Sequence, residues 1–221
     1  MHGVVVNTIL IVTALFPIVN PLGGAPIFLS LTREYTSAQR NLLSWRVARN
    51  SFFLLIASLL VGTHILSFFG ISLPVVQVGG GLVVISTGWK MLNWKSEEDE
   101  AEPARRATSA GEIAQRAFYP LTLPLTVGPG SISVAITLGA NAPHHARGDL
   151  LLIAAAVAGS MLTALSVYLC YASAERMSRL IGAAGMGVIM RLSSFLLLCI
   201  GVQIVWNGVS ALLSTLPAPA Q

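Results

Sequence analysis

Two short segments gather the residues whose types and spacing could do chemistry. In the first, Phe16 to Pro26, prolines at 17, 21 and 26 surround Asn20, Gly23 and Gly24. In the second, Tyr119 to Ser133, prolines at 120, 124 and 129 accompany Thr122, Thr126, Gly128, Gly130, Ser131 and Ser133. Proline withholds a backbone N–H and clashes with the carbonyl four residues earlier, so an α-helix should not run straight through either segment. Amides at a restarted helix N-terminus favour an anionic group such as a carboxylate. Carbonyls left at an interrupted C-terminus favour a cation or an ammonium. Asn20, Pro21, Gly23, Gly24, Thr122, Thr126, Gly128, Gly130 and Ser131 are therefore the expected substrate-binding residues, with glycines permitting close backbone approach. A ligand carrying both groups would place its carboxylate at the helix N-termini and its ammonium at Asn20 and the free carbonyls.

Other candidates carry less. His64 could relay protons but is better read as an outer-interface residue. Gln77, Gln203 and Asn207 are expected to bond across helices or line a cavity. The run Gly79-Gly80-Gly81 should permit close helix contact, and Gly62, remote from both segments, should tolerate added bulk. No buried Ser-His-acid set or metal-ligand spacing can be assembled. No enzymatic activity, cofactor or metal is expected. Cys170 and Cys199 lie inside apolar runs and read as small buried hydrophobes.

The elements that hold these residues follow from composition. The 221 residues are 54% hydrophobic and only 10% charged, with a mean hydropathy of +0.75. A soluble domain carries about 25% charged residues, so this chain has too few to face water all round, and lipid must be its solvent. The net charge of +4 does not signal nucleic acid, because the basic residues sit in loops without interleaved aromatics. The N-terminus lacks a basic region and a small-residue cleavage site, and so reads as a membrane span, not a removed signal peptide.

Crossing a ~30 Å hydrocarbon core takes about 20 apolar residues. Six spans result, near 4–31, 48–69, 74–93, 117–140, 150–171 and 192–214, the second and third separated by a turn at Gly70–Pro74. Of 13 Lys and Arg, only Arg147 falls on one face; the other 12 cluster at 33–49, 90–116 and 176–191. The positive-inside rule puts those 12 in the cytoplasm and both termini in the periplasm. Every acidic residue falls in a loop or at a span end, which disfavours proton coupling through a buried carboxylate. The polar stretch Trp94–Gln115 reads as a disordered cytoplasmic linker, residues 180–191 as a bent approach to the sixth span, and 216–221 as a frayed tail.

With a constant offset of 103, Pro17, Pro21 and Pro26 fall on Pro120, Pro124 and Pro129. Three spans per half is an odd number, so the halves must run in opposite senses. The expected fold is thus an all-α membrane protein, a 3+3 inverted repeat with broken first and fourth spans: residues 1–94, a linker 95–116, and residues 117–221. Secondary transporters use this arrangement. Non-helical backbone inside a membrane must line a cavity or lie within protein, which puts both breaks at the centre of the bundle. The bland alternative is that proline and glycine serve only as kinks and packing sites.

The segment Asn20-Pro21-Leu22-Gly23-Gly24-Ala25-Pro26-Ile27-Phe28 resembles the signature of the MarC family of bacterial membrane proteins. So does Pro124-Leu125-Thr126-Val127-Gly128-Pro129-Gly130-Ser131-Ile132. Phe69-Gly70-Ile71, the Gly79-Gly80 pair, and Arg191 followed by an apolar helix with Gln203 and Gly208 extend the resemblance over nearly the whole chain. Ser194 stands where the family pattern has glycine, so packing of the sixth span is expected to differ. The resemblance, with a more distant one to the LysE exporters, implies a six-span inner-membrane protein exporting small neutral amino acids. The expected partners are such a substrate and the lipid bilayer, with no nucleic acid; a homo-oligomer is left open. The rival functions are a non-transporting membrane subunit or scaffold and a membrane redox carrier, the latter needing paired cysteines that the two segments lack.

Overall fold

The computed structural model describes residues 2–93, 110–141 and 148–215. All described elements are helical. The α1 helix (His2–Val19) stops where Pro21 can give no N–H to Pro17 and disfavours a helical conformation for the residue before it. That residue, Asn20, turns left-handed (φ 49°, ψ 56°), a conformation asparagine tolerates better than most side chains. The α2 helix (Pro21–Leu31) restarts at once, with proline at its first position. Together they form an apolar stretch, Gly3–Leu31, long enough to span a bilayer.

The α3 helix (Ser37–Phe68) opens with a capping box between Thr36 and Gln39. Its 32 residues run about 48 Å at 1.5 Å per residue, so its first turns extend past the apolar segment. Hydropathy marks only the lipid-facing portion, which is why the sequence placed this span's start at 48. A turn with Gly70 at φ +66° leads into α4 (Leu73–Leu92).

The described chain resumes with α5 (Ala110–Arg116), whose Ile113 is buried. The near end of the expected disordered linker is therefore helical; its remainder, 94–109, lies outside the described residues, as does the tail from 216. Ala117–Thr126 continues as a distorted coil in which Tyr119 and Leu123 are extended, each before a cis proline, Pro120 and Pro124. After Gly128 the chain forms α6 (Pro129–Ala140), bent 69° from the Gly111–Thr126 stretch. The bundle is completed by α7 (Gly148–Ala172) and α8 (Ala174–Leu213), the latter turning at Gly182, φ +71°. That turn is the expected bent approach, and helical backbone continues on both sides of it. Five helices are long and apolar enough to cross a membrane, or six if the bent pair is one span.

The core joins α1, α2, α3, α6 and α7 around Leu15, Phe28, Leu43, Leu55, Val127, Val167 and Tyr171. Large apolar side chains also cover the outside, Phe53, Phe195 and Leu196 among them, each more than half exposed. In water this surface would drive aggregation; in a bilayer it is the lipid contact.

The α4 and α8 helices pack in close antiparallel contact. A Cβ on Gly81 would lie 2.9 Å from the Gly201 carbonyl, and one on Gly201 would lie 3.0 Å from the Gly81 carbonyl. At one end of this seam Gly88 meets the Ser194 carbonyl (3.0 Å), and at the other Gly208 meets the Pro74 carbonyl (2.7 Å). Ser194, at this seam, is fully buried and folds its hydroxyl back onto the Met190 carbonyl (2.6 Å).

Candidate functional site

The Asn20 junction and the Gly128 bend face one cavity of about 30 Å³. Its walls include Ile18, Val19, Asn20 and Gly24 from one side and Pro124, Leu125, Thr126, Gly128, Gly130 and Ser131 from the other. Val83, Val84, Thr87 and Met91 of α4 and Leu197 of α8 complete it. Six of the nine sequence-predicted site residues therefore line one space, although they come from positions about a hundred residues apart.

Asn20 is the most constrained of them. It is 9% exposed, and its Oδ1 accepts the Gly23 N–H at 3.1 Å, capping α2. Its Nδ2 is buried with no partner. The Asn20 oxygen, expected to meet an ammonium, here caps α2 with one of its two lone pairs.

Gly24 owes its identity to Tyr171, whose hydroxyl would stand 2.6 Å from a Cβ there. The Tyr171 ring stacks on Phe28, centroids 4.5 Å apart. Thr126 donates to the Leu121 carbonyl (2.7 Å), and so its contact with Tyr171 Oη (2.9 Å) is a bond the tyrosine donates. Tyr171 thus ties the two proline-glycine segments together. A lone tyrosine in an apolar span carried no signal of this in the sequence.

On the opposite wall, α6 begins at Pro129 with no side chain capping its first turn. The Ser131 hydroxyl donates to the Gly128 carbonyl (2.9 Å). Gly130 is held to its size by Val84, against which a Cβ would collide. Gly128 is under less pressure, its nearest neighbour being the Pro124 carbonyl at 3.2 Å.

Three of the nine stand outside the cavity wall. Pro21 is buried at the start of α2. Gly23 is buried behind Asn20, where a Cβ would lie 2.5 Å from Asn20 Nδ2 and 2.7 Å from Ser193 Cβ. Thr122 is fully buried, donating to the Ala117 carbonyl (2.6 Å) and accepting from Asn50 Nδ2 (3.4 Å). Ser133 ties α6 to the Val76 carbonyl of α4 (2.8 Å). These residues build the frame of the site and do not face its interior.

Other expectations meet different outcomes. Gln203 and Asn207 bond each other along α8 on an exposed face (2.9 Å) and do not reach across helices. Gly62 is no open position, since a Cβ would run into Ile136. Cys199 is exposed, not buried. His64 is exposed beside a separate, mostly apolar cavity of about 130 Å³ that Ile11, Leu59, Leu138 and Ile153 also line.

At the far end of α2, Arg40 makes a charge-assisted contact. Its guanidinium donates to Glu175 (2.6 Å) and to the carbonyls of Thr32 and Tyr35 (3.1 Å each). It closes the C-terminal end of α2 and joins it to the α7–α8 corner.

Residues 5–213 match the model of a family described as MarC family integral membrane protein. The chain belongs to the MarC family. Relatives named inner membrane protein MarC from Salmonella paratyphi B and Citrobacter koseri are each 33% identical, over 205 and 208 residues. One from Escherichia coli is 32% identical over 214 residues. Each of these alignments covers 91% of this chain and 93% of the relative. No solved structure gives a significant match. The segments that carried the resemblance to the MarC family are thus the ones that meet at the cavity, and the chain is an integral membrane protein of that family.

Proposed function

We propose that this MarC family protein is a secondary transporter, exporting small neutral amino acids or related metabolites through the cavity between the Asn20 junction and the Gly128 bend. The observation that carries the reading is the meeting of the two proline-glycine segments at one cavity. Interrupted backbone inside a bundle is tolerated only where it serves a cavity or is enclosed by protein, and transporters place substrates at such paired interruptions.

In this reading residues 1–94 and 117–221 are inverted repeats joined by the 95–116 linker, with both termini periplasmic in the inner membrane. The proline offset of 103 supports it, and so does the α4–α8 seam. There Gly81 and Gly88 correspond to Gly201 and Gly208 at an offset of 120, and each glycine meets a carbonyl of the opposite helix. Such reciprocity is what a two-fold axis through the Gly81–Gly201 contact would produce. The α2 helix packs on α8 as α6 packs on α4, again as that axis requires.

One observation favours a non-transporting membrane subunit. A cavity of about 30 Å³ holds roughly two water molecules at ~10–15 Å³ each, less than an amino acid needs. Transport then requires a second conformation in which the α4–α8 seam or the bends give way. Counterflow in liposomes against labelled alanine, serine, threonine, valine and leucine separates the two. Saturable exchange of at least one, blocked when Gly81→Cys and Gly201→Cys are crosslinked, is expected. Absence of exchange across a broad metabolite panel, by protein that is folded and correctly inserted, would leave the subunit reading in its place.

A further inference from the structure

A polar pair on the outward face of α8 takes no part in the cavity. The helix carries no charged residue from Leu192 to its end at Leu213. That stretch is about 33 Å long at 1.5 Å per residue, which matches the ~30 Å hydrocarbon core. Gln203 stands near its midpoint, and Asn207 lies one turn further on. Gly201 and Gly208 of the same helix are buried against α4, which turns both amides away from the bundle, where each is exposed. They bond each other, Gln203 Nε2 donating to Asn207 Oδ1 at 2.9 Å. A carboxamide carries two N–H donors and two acceptor lone pairs. One shared bond therefore leaves each side chain with donors and acceptors to spare, whichever way the amides are turned. Hydrocarbon offers them nothing in return, and neither cavity described above includes either residue. The face around them is apolar: Leu192, Leu196 and Trp206 are each 60–62% exposed.

We infer that this face of α8 is a self-association surface, at which the Gln203–Asn207 pair joins a second copy of the chain within the bilayer. Apolar burial gives no net attraction between helices already in lipid, so side-chain hydrogen bonds and packing drive their association. Copies inserted in one orientation bring their α8 helices together in parallel, with Gln203 and Asn207 at matching depths. A two-fold axis along the membrane normal then sets the pair of one copy against the pair of the other. Because each pair holds spare donors and spare acceptors in equal number, the face is complementary to itself. A polar position in an otherwise apolar seam also fixes the register of the two helices. The inference does not depend on what the cavity carries.

The chain supplies its own reporter. Cys199 is exposed and lies four residues before Gln203, on the same face of the helix. The other cysteine, Cys170, would be replaced by alanine. Full-length protein in native membranes would be oxidised with copper phenanthroline and run on non-reducing gels, with Leu192→Cys and Leu196→Cys, each made without Cys170 and Cys199, as further positions on the same face. A disulfide-linked product of two chains is expected at one or more of the three. At the position that crosslinks, Gln203→Leu combined with Asn207→Leu should cut the dimer fraction at least five-fold while the inserted amount is kept, since leucine suits a lipid-facing site. Should that variant insert poorly, Gln203→Ala alone makes the same comparison. Exchanging the amides, Gln203→Asn with Asn207→Gln, keeps the chemistry and should retain the dimer. Phe53→Cys, on the outward face of α3 (59% exposed) and again without Cys170 and Cys199, should stay monomeric. No dimer at any of the three positions would overturn the surface, as would a dimer fraction unchanged by loss of the amides or matched at Phe53→Cys. A crosslinked product whose mass is not that of two chains would assign the face to a different membrane protein and overturn the second copy as its occupant.

Discussion

At the residue scale, the site is held by side chains that exclude bulk. Tyr171 Oη occupies the space a side chain at Gly24 would need, 2.6 Å from its Cβ position. Gly24→Ala should therefore destabilise by ~1–3 kcal/mol, as overpacking of a tight core does. Tyr171→Phe deletes one hydrogen bond to Thr126 and should cost ~1 kcal/mol. Because the same deletion also removes the atom that the new methyl would strike, the double variant should be less destabilised than the sum by roughly 1 kcal/mol, a coupling that denaturant unfolding in detergent would measure. Full additivity would mean that the two groups do not compete for the same space. The glycines also differ among themselves. Gly23→Ala would press on the Asn20 amide at 2.5 Å, whereas Gly128→Ala meets only the Pro124 carbonyl at 3.2 Å. Counterflow should fall much further for the first than for the second. Gly79, with open space around it, is the control that should be silent.

At the element scale, two contacts between helices carry much of the arrangement. The Arg40 side chain, 11% exposed, holds the end of α2 against Glu175, which is 40% exposed. Arg40→Ala leaves the Tyr35 carbonyl without this donor and the Thr32 carbonyl with only the Tyr35 N–H (3.1 Å), and should cost ~1–3 kcal/mol. Glu175→Gln keeps an acceptor at a half-wet position and should cost at most ~1 kcal/mol. Equal losses from the two would show that the charge pair, and not the closure of α2, is what matters. Along the α4–α8 seam, Gly81→Ala and Gly201→Ala each push a methyl against the opposite carbonyl at 2.9–3.0 Å. Similar destabilisations of ~1–3 kcal/mol are expected, and a double variant short of their sum, since both separate the same pair of helices.

At the scale of the whole molecule, the distribution of basic residues makes a prediction about orientation. With Cys170 and Cys199 replaced by alanine, single cysteines at Ser72, in the exposed turn between α3 and α4, and at Gln115, exposed at the end of α5, report opposite faces. An impermeant thiol reagent applied to intact spheroplasts should label Ser72→Cys and leave Gln115→Cys unreacted. The reverse pattern would invert the molecule and with it the direction in which the cavity opens.

The sequence by itself determined the membrane class, because hydropathy depends on composition over windows of ~20 residues and needs no knowledge of what packs where. It also determined where the helices of the first and fourth spans would be disturbed, since a missing N–H at Pro21 or Pro124 acts on the local backbone whatever surrounds it. Helix ends were less legible: α3 begins at Ser37 and α8 at Ala174, in charge-bearing extensions that a hydropathy window does not register. Only the tertiary structure decided which face of each interruption the cavity takes. Asn20 was identifiable as a polar residue at a break, but that its oxygen caps α2 depends on the left-handed turn that brings the Gly23 N–H to it. Tyr171, Asn50 and the Gly81–Gly201 contact were invisible for a related reason. A hydroxyl, an amide or a missing side chain in an apolar helix acquires a role only when a residue tens or a hundred positions away is brought within hydrogen-bond or van der Waals reach, and local pattern does not encode that distance.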